Sequence, residues 1–123
     1  MSFKFEKLLI WQKSFKLGEE VNTVANTFPA FEIYNLTSQM RRAADSVGLN
    51  IAEGSTGNSD KEQVRFLSYA NRSVIEVVAC LLKAKSRGYI NLNESERFYF
   101  LSVEVYKMIS SFKRAVADRT SVV

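Results

Sequence analysis

The sequence lacks histidine altogether and contains only one proline, one cysteine and five glycines among its 123 residues. Without histidine, the chain has neither the commonest general base and metal ligand nor a Ser–His or Cys–His catalytic arrangement. The densest acidic pairs, Glu19 with Glu20 and Glu94 with Glu96, lie on divergent helix faces, which is typical of solvated surfaces. No glycine begins a phosphate-binding GxGxxG or GK[ST] pattern. We therefore expect a non-enzymatic protein without a catalytic site, a metal site or a cofactor.

Long hydrophobic runs are missing as well. No apolar run approaches 18 residues, and the N-terminal stretch Met1–Lys4 is not followed by a hydrophobic signal region. The lone Cys80 excludes an internal disulfide, and its apolar neighbours indicate a buried position on a helix. We expect a cytoplasmic protein that does not associate with a membrane.

The scarcity of proline and glycine leaves too few turn signals for a many-stranded sandwich or barrel and favours a few long helices. Apolar residues recur at spacings of three and four, which predicts helices at about residues 5–28, 35–53, 60–87 and 94–118. Short connections make neighbouring helices antiparallel. We predict an all-α, antiparallel up-down-up-down four-helix bundle in which residues 1–123 form a single domain around one core.

Polar residues mark the predicted helix ends. Asn35 and Ser59 are predicted N-caps of the second and third helices, and Gly88 fits the position after the third. Asn93 with Glu96 resembles a capping box at the start of the fourth helix.

The apolar stripe of each helix predicts which residues form the core. Gly18 lies within the first stripe, where it allows a neighbouring backbone to approach closely. The predicted inward-facing residues are Leu8, Trp11, Phe15, Gly18, Val21, Ala25 and Phe28, then Leu36, Met40, Ala43, Val47 and Ile51, then Phe66, Ala70, Val74, Val77, Leu81 and Ala84, and finally Phe98, Leu101, Val105, Met108, Phe112 and Ala115 or Val116.

The fourth predicted helix has a second apolar stripe, formed by Tyr99, Val103 and Tyr106, outside its core stripe. A second stripe favours a second packing partner, and we expect self-association through it. The alternative is that the two tyrosines flank the core with solvated hydroxyls.

The net charge of +4 is unevenly distributed along the predicted bundle. The end with both termini collects ten basic and six acidic residues, whereas the other end has seven of each, so the whole excess lies at one end. In a ring of subunits this excess would form a basic surface for a polyanion, whereas in a monomer it serves solubility. The candidate phosphate-binding residues are Lys4, Lys7, Lys13, Lys16, Lys113 and Arg114.

The segment Leu36–Gly54 contains two adjacent arginines on a largely apolar helix. Arg41 is predicted to pair with Asp45, four residues later. Arg42 and Glu53 share a face but lie about 16 Å apart, too far to touch within one helix. Arg42 is therefore predicted to meet Glu53 across a subunit interface or to reach the third helix near Asn71, Arg72 and Glu76, and phosphate contact is the alternative. The candidate polar network of assembly comprises Arg41, Arg42, Asn50, Glu53, Gly54 and Glu76.

Four motifs occur in a specific order between Phe5 and Arg114: LLIWQKSF, FPAFEIYNLTSQMRRAADSVGLNIAEG, RFLSYANRSVIEV and RGYI. Together they resemble the bacterial four-helix-bundle family named for intervening sequences in 23S ribosomal RNA genes. The resemblance implies a left-handed bundle that assembles as a ring-shaped homopentamer. It extends to the accessory protein of diversity-generating retroelements, a basic pentamer that binds nucleic acid and a reverse transcriptase. The chain departs from the family pattern at Gly48, where a proline is usual.

Two functions follow as expectations. The first is an RNA-binding or nucleic-acid-binding accessory protein associated with ribosomal RNA intervening sequences. The second is a structural scaffold that docks a partner protein and does not bind nucleic acid.

Overall fold

The computed structural model describes residues 1–57 and 59–121. The predicted single domain covers residues 1–123, and its residues 58, 122 and 123 lie outside the described ones. Each of the four long helices packs against the next, and the first also contacts the fourth. The described part of the chain contains no strand, which confirms the all-α four-helix bundle. The elements are an N-terminal 3-10 helix (Lys4–Lys7), α1 (Leu9–Ala25), a loop 3-10 helix (Ala30–Glu32), α2 (Leu36–Gly54), α3 (Asp60–Ser86) and α4 (Leu92–Ser121).

Polar contacts between helices show that α1 and α4 are antiparallel. The Lys13 ammonium lies 3.2 Å from the Glu104 carboxylate. Further along α1, Glu20 lies 2.6 Å from Arg97. The residue numbers rise along α1 as they fall along α4, as the up-down-up-down topology requires. The same reversal relates α3 to α4, where the contacting pairs are Asn71 with Ser110 and Asp60 with Arg119.

The prediction of one helix over residues 5–28 is wrong at both ends. Leu8 adopts an extended conformation, with φ −78° and ψ 125°, and separates the N-terminal 3-10 helix from α1. At the other end α1 stops at Ala25, and Thr27 and Phe28 donate backbone hydrogen bonds of turn type to Val24 and Ala25. The remaining helices agree with the predicted segments to within a few residues.

Two of the four predicted helix-end features agree with the structure, and two differ from it. Ser59 accepts a hydrogen bond from the Glu62 amide at 3.0 Å, and Gly88 has a φ of +77°, as expected. Asn35 occupies the N-cap position of α2 but makes no capping hydrogen bond. The capping box of α4 is also misplaced, because the structure forms it two residues earlier: Asn91 Oδ1 accepts from the Glu94 amide at 2.8 Å, and Glu94 Oε1 accepts from the Asn91 amide at 3.2 Å.

The core agrees best with the sequence pattern on α2, where all five predicted residues are buried. On α1 the prediction fails in the first half, because Ile10, Ser14 and Leu17 face the core whereas Phe15 is 53% exposed. Several residues of α4 that were predicted to be buried, among them Leu101, are only partly buried. Cys80 is buried, as its apolar neighbours indicated. The buried residues other than glycine that the pattern missed are Ile10, Ser14, Leu17, Glu32, Thr37, Ala44, Ser55, Gln63, Leu67, Asn71, Ile90, Ser95, Ser102 and Ile109.

Two glycines allow close helix contacts on either side of α2. A Cβ atom at Gly18 of α1 would lie 3.1 Å from the carbonyl oxygen of Ala44, which confirms the predicted close approach. A Cβ atom at Gly54 would lie 2.7 Å from Cβ of Phe66 on α3, a distance that real Cβ atoms do not tolerate. Gly54 is therefore needed for helix packing, and its φ is not positive.

The substitution Gly54→Ala tests this packing role. We expect it to lower the free energy of unfolding by about 1–3 kcal/mol, because the added methyl group forces α2 and α3 apart. Gly48→Ala is the matched control, since its Cβ would meet only the Trp11 side chain at ordinary contact distance, 3.6 Å. Alanine should stabilise that position by up to about 1 kcal/mol through helix propensity. Urea denaturation followed by circular dichroism measures both changes, and equal stability of the two variants would contradict the packing role.

Candidate functional site

The candidate phosphate-binding residues lie on three elements. Lys4 and Lys7 are exposed on the N-terminal 3-10 helix, and Lys16 is exposed on α1. On the last turns of α4, Arg114 is exposed and Lys113 is half-buried. The antiparallel packing of α1 on α4 places Lys4, Lys7, Lys113 and Arg114 towards the end of the bundle that has both termini. Lys16 lies further along α1, between the levels of the Lys13–Glu104 and Glu20–Arg97 contacts.

Lys13, the sixth candidate, is different because it is engaged in an ion pair. Its ammonium contacts Glu104, which was counted from the sequence among the seven acidic residues of the opposite end. The pair lies at one level, so the two charges cancel locally. The whole excess of charge therefore does not lie at the end with both termini, contrary to the prediction. We call the end with both termini, with Lys4, Lys7, Lys113 and Arg114, the basic end.

The two central arginines of α2 are both exposed. The predicted pair between Arg41 and Asp45 is wrong, because Asp45 instead accepts a hydrogen bond from Asn22 of α1 at 2.8 Å. No described carboxylate lies within ion-pair distance of Arg41 or Arg42. Any partner of these arginines that is charged must therefore come from elsewhere, such as a second subunit or a phosphate group.

The other members of the candidate polar network are not joined to the arginines within the chain. Asn50 donates to the Ser46 carbonyl of its own helix at 2.9 Å. Glu53 and Glu76 are exposed, and Gly54 is buried. Asn71, one of the predicted alternatives on the third helix, donates to Ser110 of α4 instead. The contact predicted across a subunit interface stays a prediction.

The three residues of the predicted oligomer face lie together in the structure, and self-association through them stays a prediction. Tyr99, Val103 and Tyr106 line an apolar groove of about 320 Å³ between α3 and α4. Tyr99 is 49% exposed, and the neighbouring Ile75 of α3 is exposed as well. This α3–α4 groove is an apolar surface that the packing of the helices leaves uncovered.

A polar cluster that the sequence interpretation missed closes the end opposite to the basic end. Glu32, in the loop between α1 and α2, is only 3% exposed. Its Oε2 accepts hydrogen bonds from Tyr89 at 2.7 Å and Arg87 at 2.8 Å, both in the connection between α3 and α4. Its Oε1 accepts from Asn35 at 3.1 Å. One buried carboxylate thus joins the two loops at this end.

The electrostatics of this cluster follow from the same contacts. The hydrogen bond from Tyr89 lowers the pKa of Glu32, and the Leu36 amide and the Arg87 guanidinium act in the same direction. Desolvation opposes them without reversing the shift. The hydrogen bond to Glu32 is also the main cause that raises the pKa of Tyr89. Glu32 therefore stays ionised at neutral pH and acts as a structural anchor.

One local signal pointed to Glu32. It is the only charged residue in the apolar stretch Phe28–Tyr34 between two predicted helices. A lone carboxylate in such a stretch is either solvated or paired, and the identity of its partners depends on the fold.

The fold defines the class of protein: an all-α helix bundle in which the described residues form no cluster that could hold a metal ion. Among those residues, no helix is long and apolar enough to cross a membrane.

Residues 6–111 match the family described as 23S rRNA-intervening sequence protein, and the chain belongs to this family. The family name associates it with intervening sequences of 23S rRNA. A search of curated proteins finds no significant match to the chain.

The substitution Glu32→Gln tests the anchor. At pH 7 we expect the melting temperature to fall by about 5 °C, because Asn35, Arg87 and Tyr89 lose their charged acceptor. The pKa of Glu32 is lowered in the folded state, so its contribution is present above its ordinary pKa of 4.5 and is lost as the pH falls through the folded value. The difference between wild type and variant should therefore shrink below about pH 4.5.

Thermal unfolding followed by circular dichroism between pH 7 and pH 3 measures this difference. Glu96→Gln, which changes an exposed carboxylate on α4, is the control and should follow the wild type at every pH. A constant difference between wild type and Glu32→Gln across this pH range would refute the anchoring role of the charge.

Proposed function

We propose that this protein is a non-enzymatic accessory protein that binds structured RNA through its basic end. The observation that supports this most directly is a set of exposed cations there without carboxylate partners among the described residues. These are Lys4, Lys7 and Arg114. The association of the family with 23S rRNA intervening sequences supports RNA as the polyanion that the basic end binds.

Unpaired lysines suit phosphate binding for a simple reason. A cation in a salt bridge must break that contact before it meets a phosphate, whereas a solvated one only loses water. The nearest acidic side chain in the N-terminal 3-10 helix, that of Glu6, accepts a hydrogen bond from the Phe3 amide at 2.7 Å. Lys4 and Lys7 therefore keep their charge available on the surface.

Assembly would strengthen such a weakly basic surface. We propose that subunits associate through the α3–α4 groove into a homo-oligomer, with the homopentamer as the expected state. Each added subunit brings a further basic end, so the affinity for a long polyanion rises by effective concentration. The uncovered tyrosines of the groove support this proposal.

The second candidate function is a scaffold that docks a partner protein. The apolar α3–α4 groove favours it, because an aromatic surface of this kind also fits an apolar segment of another polypeptide. In that case the charge of the basic end serves solubility alone.

Binding to a structured RNA hairpin at increasing salt separates the two functions. We expect the logarithm of the association constant to fall linearly with the logarithm of the salt concentration, by about 0.7–0.9 per phosphate contacted. The double substitution Lys4→Ala, Lys7→Ala should weaken binding about tenfold near 0.1 M salt and reduce the slope by about 1.5. Lys83→Ala, Lys85→Ala is the matched control, since it removes two exposed cations from the other end.

Fluorescence anisotropy of a labelled hairpin measures these affinities. Absence of binding at about 50 mM salt would reject RNA binding and favour the scaffold. An equal loss of affinity in the two double variants would reject the basic end as the contact surface.

Sedimentation velocity tests the assembly. At tens of micromolar, where oligomers with interfaces of standard size are populated, we expect the wild type to sediment as an oligomer. Tyr99→Lys should shift it towards the monomer, because a charge in the groove must lose its hydration when the groove is covered. Phe31→Lys, at an exposed loop position, is the control and should leave the oligomer unchanged. A wild type that remains monomeric would contradict the assembly.

A further inference from the structure

A pocket of about 370 Å³ lies between α1 and α2, within the size range of small-molecule sites. Small residues form much of its lining. Gly18 and Ala44 hold the two helices in backbone contact, and Gly48 leaves the indole of Trp11 close to the α2 backbone. We propose that this α1–α2 pocket binds a small organic cation: a primary ammonium or guanidinium group on an aromatic or branched alkyl body.

Three aromatic rings form one wall of the pocket. The ring of Phe5 meets that of Trp11 edge to face, with centroids 4.9 Å apart, and Trp11 stacks on Phe15 at 5.2 Å. Trp11 packs partly against the core, whereas Phe15 is 53% exposed. Leu49 of α2, which also lines the pocket, is 60% exposed. The pocket thus offers apolar surface to an incoming molecule.

The backbone around Phe5 holds this wall in place. The Leu8 amide donates to the Phe5 carbonyl at 3.0 Å, and Gln12 Nε2 of α1 donates to the Glu6 carbonyl at 2.9 Å. These two bonds tie the N-terminal 3-10 helix to the first turn of α1. The aromatic wall is therefore present before a ligand arrives.

The charged side chains of the pocket are acidic. Its lining includes the exposed carboxylates of Glu19 and Asp45, and none of the described lining residues is basic. Asp45 accepts from Asn22 through Oδ1 only, so Oδ2 has no donor among the described residues. Ser14, which also lines the pocket, is 1% exposed, and its hydroxyl has no hydrogen-bond partner among them.

Aromatic faces and carboxylates both attract positive charge. The ring quadrupole favours a cation near its face, and an adjacent carboxylate strengthens this attraction. The apolar wall holds the body of the same ligand by the hydrophobic effect. An anion would meet repulsion from Glu19 and Asp45, and a neutral molecule would gain only from apolar contact. The site therefore selects amines with an apolar body, independently of the proposed RNA binding.

Trp11 is the only tryptophan of the chain, so its fluorescence reports on this pocket alone. We expect phenethylamine to change the emission saturably, with a dissociation constant on the order of 1 mM. Phenethyl alcohol should bind about tenfold more weakly, and 3-phenylpropionate more weakly still. The net charge of +4 would favour the opposite order, so a preference for the amine must come from local groups.

The double variant Glu19→Gln, Asp45→Asn should bind the amine and the alcohol with similar affinity, because it removes both carboxylates and keeps the acceptor for Asn22. Glu96→Gln, which changes an exposed carboxylate of α4 outside the pocket, is the matched control and should retain the preference. Circular dichroism confirms that each variant is folded.

Three results would overturn the proposal. The first is equal affinity of the wild type for phenethylamine and phenethyl alcohol. The second is a preference for the amine that survives in the double variant. The third is a Trp11 emission that depends on protein concentration and does not respond to the amine, which would assign the pocket to a second copy of the chain.

Discussion

The backbone of α2 is in close contact with a neighbouring helix on each side, and the other surfaces of the bundle depend on this constraint. Gly18 brings α1 against the Ala44 carbonyl, and Gly54 brings α3 against the last turn of α2. With both flanks covered, α2 exposes a narrow strip that includes Arg41 and Arg42. The same contact sets the register that places Trp11 over Gly48. The α1–α2 pocket and the solvation of the two arginines are therefore consequences of helix spacing.

The buried carboxylate of Glu32 provides the complementary constraint at one end. An ionised group in a buried site is stable only when donors surround it, so Arg87 and Tyr89 must stay close to the loop that contains it. This requirement fixes the two loops relative to each other. At the basic end, by contrast, exposed charges predominate and several have no described partner. The end with Glu32 is therefore closed by hydrogen bonds between its loops, whereas the basic end exposes its charges to solvent.

The sequence predicted those features that depend on local periodicity. The stripe of α2 was correct because this helix has only one apolar face, whereas α1 has two, and periodicity cannot tell whether Phe15 or Leu17 faces the core. The capping box failed because the segment NLNESE contains an Asn followed three residues later by Glu in two registers. The partners of Glu32 lie 55 and 57 residues away, and the ion pair of Lys13 with Glu104 spans 91. Such contacts depend on the register between helices, which no local pattern contains.

The N-terminal 3-10 helix links the two proposed binding surfaces. Within four residues it supplies Phe5 to the wall of the α1–α2 pocket and Lys4 and Lys7 to the basic end. Because Leu8 interrupts the helical backbone, this segment is positioned by its contact with Trp11 and by its bond to Gln12 rather than by continuity with α1. An occupant that stabilises Phe5 against Trp11 also stabilises the backbone that bears the two lysines. Pocket and phosphate surface therefore share one element, and any energetic coupling between them acts equally in both directions.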